Sequence, residues 1–341
     1  MVKTSGLAIA SFVLAILSPF TCAITVIPAI VLGIISFVQI EKSGGRLTGR
    51  GFAIAGIVIP VVLFSLSLGI ISLRGIREKA RRMVCGTNLS QIGMAMLIYA
   101  NDYEDEFPRA GGRETAWGPT VLFDAVDRFS AYGLQADGSG GTATISSSFY
   151  LLVKYAEATP KSFICKGDIG TTEFKLSDYP NRNPSIKEDI HAWDFGTLPS
   201  QNCSYTYHMP YGLYPLTKSS EPGMAVAADR NPWIDSPAAK AKNFWRFKPD
   251  IPPWNGTIKQ AKYGNAVTHK GEGQNVLFMD SHVDFEKRPY CGIHDDNIYT
   301  HLPQGIGYPQ RGDPPVPFVS QPGHRKDSLL VHDPPPGARR K

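Results

Sequence analysis

The chain of 341 residues carries a formal charge of only +5 and a mean hydropathy of −0.14, and its five cysteines contain no C-x-x-C pair. A small charge without a basic stripe interleaved with aromatics excludes nucleic acid as an expected partner, and the cysteine spacing excludes a zinc ribbon or a thioredoxin-like motif. The near-neutral mean hides an asymmetry: residues 6–73 are mostly apolar and the remainder is polar and rich in Gly, Pro and Tyr. Such a chain suits an anchor plus one sizeable domain, or two modest domains.

Residues 6–40 contain no charge. One helix of that length would extend about 50 Å, well beyond a hydrocarbon core of ~30 Å. Pro19, Thr21 and Cys22 therefore read as a break between two short spans, near 6–20 and 23–40, or within a kinked, re-entrant pair. After the loop EKSGGRLTGR, residues 51–73 (GFAIAGIVIPVVLFSLSLGIISL) are again uncharged and fit one crossing with some tilt. Apolar sequence resuming after a Gly-rich loop does not fit a cleaved signal peptide, and its length argues against buried core helices of a soluble protein. Lys42, Arg46 and Arg50 outweigh Glu41, which places residues 41–50 in the cytoplasm and sends the next span outward. The basic cluster Arg74, Arg77, Lys79, Arg81 and Arg82 argues the other way.

The phrases GLAIASFVLAI and GFAIAGIVIPV, with SGGRLTGRGFAIAGIV between and across them, resemble a small bacterial membrane domain of unknown function that occurs fused to varied extracytoplasmic domains. The resemblance covers residues 4–73. The apolar stretches predict an anchor of two or three spans in the cytoplasmic (inner) membrane, with the lipid bilayer as partner; processing at Gly51 and Phe52 would make the first apolar region a long leader, and an intact N-terminus a permanent anchor.

From residue 76 to 99, Cys85, Leu89, Ile92, Met96 and Tyr99 recur at spacings of four, three, four and three, which predicts one apolar stripe on a helix. Gly86 and Gly93 weaken that helix by about 1 kcal/mol each relative to Ala, so a packed partner, expected to be a β-sheet, must stabilise it. Met83, Met94 and Met96 read as core filling rather than as a cofactor box.

The segment ARRMVCGTNLSQIGMAMLIYANDYEDEFP resembles the sequence that follows the membrane helix in planctomycete-type pseudopilin-like proteins. SSFYLLVKYAEATPKSFICKGD, AVAADRNPW, HKGEGQNVLFMDSHVDF and CGIHDDNIYT resemble later elements of the same prepilin-type H-x9-D-G family, so the likeness covers most of residues 74–300. It implies an α+β fold, an extracytoplasmic antiparallel sheet packed on the exiting helix, and pilin-like subunits or secretion machinery as partners. The chain departs from the family at three points. The prepilin processing motif is echoed by Arg50, Gly51 and Phe52, but Gly56 stands where the family has Glu; ten residues rather than nine separate His269 from Asp280; and Ser281 replaces a Gly. A missing Glu puts standard filament assembly in doubt.

Residues 275–285 read as a β-hairpin turning at Asp280 and Ser281, and residues 224–228 as a second strand. His269, Asp280, His282 and Asp284, with Asp229, form the one cluster of metal-ligand type: zinc through the histidines or calcium near Asp229 and Asp280. The competing reading of Asp280 is turn stabilisation through backbone hydrogen bonds. Asn101, Asp102, Glu104 and Asp105 lack the spacing of an EF-hand and read as a solvated helix end. In an oxidising compartment Cys165 and Cys203 could pair, as could Cys85 and Cys291, although the four outer cysteines allow three full pairings. Aromatic residues and prolines between Trp193 and Trp254 could line a glycan or peptide groove, or pack an irregular layer. Common enzyme motifs are absent and no cofactor is expected. Residues 302–341 hold nine prolines and predict a flexible tail. Together these features predict a structural or accessory protein displaying a domain on the outer face of the membrane. The alternative is a membrane-tethered binding module for a glycan, peptide or metal.

Overall fold

The computed structural model describes residues 3–18, 24–247, 257–302 and 312–337. The chain divides into two compact units, residues 1–77 and 78–341.

The first unit holds α1 (Gly6–Leu17), α2 (Val26–Lys42) and the first part of α3 (Arg50–Asp102). A short parallel pair, β1 (Lys3–Thr4) with β2 (Leu47–Thr48), ties the loop between α2 and α3 to the start of the chain. Its buried residues are small: Ala8, Ser11 and Ala15 of α1, Ala29, Gly33 and Ser36 of α2, and Ala53 of α3. Ser11 donates to the Ala29 carbonyl at 2.7 Å, so even the hydroxyl inside this seam is satisfied. The large apolar side chains point outward instead, with Ile9, Val13, Ile27, Val31, Ile34 and Val58 between 45% and 72% exposed. A water-soluble bundle buries its large apolar groups, whereas helices in lipid meet through small residues.

The expected run of two or three N-terminal spans is not what the described residues provide. α1 has 12 residues and α2 has 17, about 18 and 26 Å at 1.5 Å per residue, short of a ~30 Å core. The expected break at Pro19, Thr21 and Cys22 lies outside the described residues. Among the described residues one helical stretch is long and apolar enough to cross a membrane, Gly75–Asp102, and 44% of its most apolar window is buried in the fold. That is weak evidence of membrane association, because a core helix passes the same test.

In the second unit the remainder of α3 packs the predicted stripe inward: Cys85, Leu89, Ile92, Met96 and Tyr99 are all buried. The partner is a five-stranded sheet of β5 (Tyr205–His208), β6 (Ala225–Asp229), β7 (Gln274–Phe278), β8 (Val283–Glu286) and β9 (Leu330–Val331), in the order β8-β7-β6-β5-β9 with every neighbouring pair antiparallel. The protein is thus a mixed helix-and-sheet fold. Side chains alternate across the strands. Leu277 and Val331 join the core beneath α3 and α5 (Ile145–Tyr155), whereas Val276, Phe278 and Leu330 face a second core with Trp233, Phe244, Phe247 and Tyr299. Smaller elements complete the unit: β3 (Ala116–Trp117) parallel to β4 (Thr142–Ala143), α4 (Arg128–Tyr132) capped by Asp127, and α6 (Ile258–Tyr263) opened by a Thr257–Gln260 capping box.

The hairpin at residues 275–285 forms as read, with Leu277 opposite Val283. Ser281 adopts φ 70°, the left-handed conformation that glycine takes at least cost.

The flexible tail is a correction. Leu329, Leu330 and Val331 are fully buried, and β9 pairs with β5 through Tyr207 opposite Val331. The tail's Asp333 accepts from the backbone N–H groups of Ile145 and Ser146 at 2.9 and 2.8 Å and from the Trp117 indole at 2.8 Å. A proline-rich composition hid one apolar run, residues 329–331, that completes a sheet edge, and one carboxylate that satisfies orphan donors of a helix N-terminus.

Asp333 lies near a second buried carboxylate, Asp194, which accepts from Thr144 Oγ1 at 2.6 Å and from the Phe195 N–H at 2.8 Å. Burial, reinforced by the Asp333 charge, pushes Asp194 up to about 7. A carboxyl raised on folding contributes stability that is complete below its unfolded value and is lost as pH rises toward the folded one. Urea unfolding of the wild type is therefore expected to show stability falling between about pH 4 and pH 7. Asp194→Asn should flatten that fall, and an unchanged slope would rule out Asp194 as its source.

Candidate functional site

Where α3, the segment after Phe163, the end of β6 and the turn before β7 meet, four potential metal ligands come together. The ligand atoms of Cys85, Cys165, Asp229 and His269 all lie within 4.8 Å of one another, and all four residues are buried. Cys85 sits on the core stripe of α3, and Asp229 ends β6. Cys85 and Cys165 are joined as a disulfide with Cα atoms 5.1 Å apart.

His269 is the centre of the group. Its Nε2 lies 3.5 Å from Cys165 Sγ and 3.5 Å from Asp229 Oδ2, and its Nδ1 lies 3.0 Å from Glu78 Oε1. The imidazole is held between two carboxylates, one at each nitrogen. Its backbone takes φ 53° and Lys270 follows at φ 61°, two consecutive left-handed residues that are not glycine. Such conformations cost of order 1–3 kcal/mol and persist only where the surroundings enforce them. Gly167 lets the Cys165 loop approach, since a Cβ there would stand 2.9 Å from His269 Cε1.

Asp229 Oδ2 accepts from Asn275 twice, at 2.8 Å from the backbone N–H and 3.2 Å from the side-chain amide. Its other oxygen, Oδ1, is buried with no hydrogen-bond partner. Burial raises the Asp229 pKa, against the pull of His269 and the Asn275 hydrogen bonds. Glu78 also meets Arg82 at 3.9 Å and Arg81 at 4.0 Å. Arg82 in turn pairs with Glu272 and lies 4.4 Å above the Phe285 ring. Beside the cluster an open cleft of about 760 Å³ is lined by Lys79, Arg82, Met83, Asn275, His282 and Phe285.

The structure divides the predicted metal candidates. Asp229 and His269 meet as described. Asp280 and His282 sit at the tip of the hairpin, both about half exposed, where they pair with each other and His282 stacks on Phe278. Asp280 also accepts from the His282 backbone N–H at 3.2 Å, the turn-stabilising role named as its competing reading. A calcium site shared by Asp229 and Asp280 is therefore not formed. The suggested pairings Cys165–Cys203 and Cys85–Cys291 are also replaced. Cys203 and Cys291 are free, and burial pushes the Cys203 thiol up to about 12. Gly51 and Phe52 lie in the first turn of α3, where Phe52 packs against Phe12 at 5.4 Å. Trp193 and Trp233 are buried in aromatic contacts, Trp245 is 80% exposed, and Trp254 lies outside the described residues.

Sequence reasoning missed Glu78 and the cysteines as members of this cluster. Glu78 precedes Cys85 by seven residues, two helical turns, so both fall on one face of α3; that spacing was the available signal.

Comparison with known proteins is consistent with two-part organisation. Residues 7–69 match the model of a domain of unknown function (DUF4190), and residues 74–122 match that of a protein of unknown function (DUF1559). No curated protein and no solved structure matches the chain.

The disulfide closes a loop with a sequence separation of 80, which in the chain-entropy picture stabilises by roughly 4 kcal/mol. A non-reducing peptide map should recover a Cys85–Cys165 cross-link with Cys203 and Cys291 alkylatable after unfolding. A Cys165–Cys203 cross-link would contradict this assignment.

Proposed function

We propose that this protein is a membrane-held, pseudopilin-like structural or accessory subunit, with the first unit embedded in the cytoplasmic membrane and the second displayed on its outer face, in the setting of a secretion or pilus-like system. The observation that carries the membrane reading is the inverted packing of the first unit, small residues within and large apolar ones without, which suits an apolar solvent. A disulfide in the second unit favours an oxidising compartment for it.

The pilin-like reading draws support from the two faces of α3. One face builds the core of the displayed domain. The other leaves Met83, Val84, Met94 and Ile98 between 44% and 68% exposed, an apolar stripe suited to a neighbouring subunit. Gly56, at the position of the family's Glu, packs directly against Ser11, so a larger side chain has no room there. A filament built on a buried Glu is therefore not proposed, and the role is that of a displayed or accessory subunit without a catalytic step.

Membranes from cells expressing the chain should retain it through an alkaline carbonate wash. A Met94→Cys variant treated there with a bis-maleimide should yield adducts of at least twice the chain mass that the parent does not form. Release by carbonate would sink the membrane placement, and a monomer without adducts would sink the subunit role.

A further inference from the structure

The ligand atoms of the buried cluster all lie within 4.8 Å of one another, and two of the donor pairs already stand at the separation that a bound tetrahedral metal requires. Zinc bonds of about 2.3 Å to sulfur and 2.0–2.2 Å to nitrogen or oxygen put neighbouring ligand atoms roughly 3.3–3.8 Å apart. His269 Nε2 is 3.5 Å from both Cys165 Sγ and Asp229 Oδ2. The Asp229 oxygen at that separation, Oδ2, accepts from Asn275, while the other, Oδ1, is buried and accepts nothing. Such an orphan is costly unless something fills its place. The far nitrogen of His269 rests against Glu78 at 3.0 Å, the carboxylate–imidazole arrangement that orients a metal-bound histidine and raises its basicity. Asn275 fixes the Asp229 carboxylate in the same supporting role.

We infer that this site is a redox-exclusive zinc site: with the Cys85–Cys165 disulfide reduced, Cys85, Cys165, His269 and Asp229 bind one Zn²⁺, and with it oxidised they bind none. Opening the site takes two electrons and two protons from a dithiol, which becomes a disulfide while Cys85 and Cys165 become thiols. The incoming Zn²⁺ then displaces both thiol protons to solvent and is bound by two thiolates, the imidazole nitrogen and the carboxylate. The sulfurs part from bonding distance to roughly 3.8 Å. Two thiolates and one carboxylate around a dication leave a net charge of −1. Arg81 and Arg82, both ion-paired to Glu78, place positive charge at the edge of the site. Asn275 both holds Asp229 and lines the open cleft, so the cleft approaches the buried donors to within one side chain.

This inference does not rest on the proposed function, because its readout is metal content. The full-length chain in detergent would be reduced with a phosphine, which does not itself ligate zinc strongly and ends as the phosphine oxide. It would then be equilibrated with Zn²⁺, desalted and assayed for metal. One zinc per reduced chain and none per oxidised chain is expected. Glu78→Gln should weaken zinc binding about 10–100-fold, and His269→Gln should abolish stoichiometric retention. Should the His269 variant fail to fold, the wild type decides alone: reduced chain loaded with Co²⁺ should show intense tetrahedral d–d bands and thiolate-to-cobalt charge transfer. Equal zinc in oxidised and reduced chains, no zinc in either, or a Co²⁺ spectrum without thiolate charge transfer would each overturn the assignment.

Discussion

The second unit depends on how closely α3 lies against β7. A Cβ at position 93 would stand 2.8 Å from Leu277 Cδ1, and one at position 86 would stand 3.2 Å from Asn275 Oδ1. These two glycines are seven residues apart, two turns on one helix face, and the strand residues they meet are two apart on one face of β7. The residues that weaken α3 as an isolated helix are thus the ones that let it reach its partner. That depth carries the rest: Cys85, adjacent to Gly86, reaches Cys165, Glu78 reaches His269, and Asn275 holds Asp229. A helix standing even 1 Å further off would forfeit much of the dispersion along the seam and separate the ligand atoms.

Much of this was legible in sequence, for a definite reason. The stripe from Cys85 to Tyr99 and the hairpin at residues 275–285 are periodic, and periodicity survives because each element buries one face against a single partner. What stayed hidden has no period. The cysteine pairing depends on which loops meet. His269 is positioned by two left-handed residues that no pattern announces. β9 is two residues long and surrounded by proline, so its apolar run was too short to outweigh composition. Asp229 and His269 could be singled out by residue type, but so could Asp280 and His282, and only the fold separates the buried pair from the exposed turn.

The chain also carries two opposite packing rules in its two units. In the first, alanine, glycine and serine form the interior, and isoleucine, valine and phenylalanine face out. In the second, Tyr150, Tyr205, Tyr207, Phe149 and Phe195 are fully enclosed, and buried charges are paired, as Arg230 is with Asp168 at 2.7 Å. The first rule suits a solvent that does not penalise exposed apolar surface and offers hydrogen bonds to no one. The second suits water. α3 contributes residues to both units, and its sequence changes character accordingly, from uncharged over residues 51–73 to charged from Arg74.

The close seam between α3 and β7 makes an expectation whose sign is opposite to that of helix propensity. Replacing Gly93 by Val should favour the helix by a few tenths of a kcal/mol if α3 stood free, whereas the added methyls must displace Leu277 from a filled core, at about 1–3 kcal/mol. The urea midpoint of the second unit in Gly93→Val measures the balance directly. The seam predicts a lower midpoint, and an unchanged or higher one would contradict it.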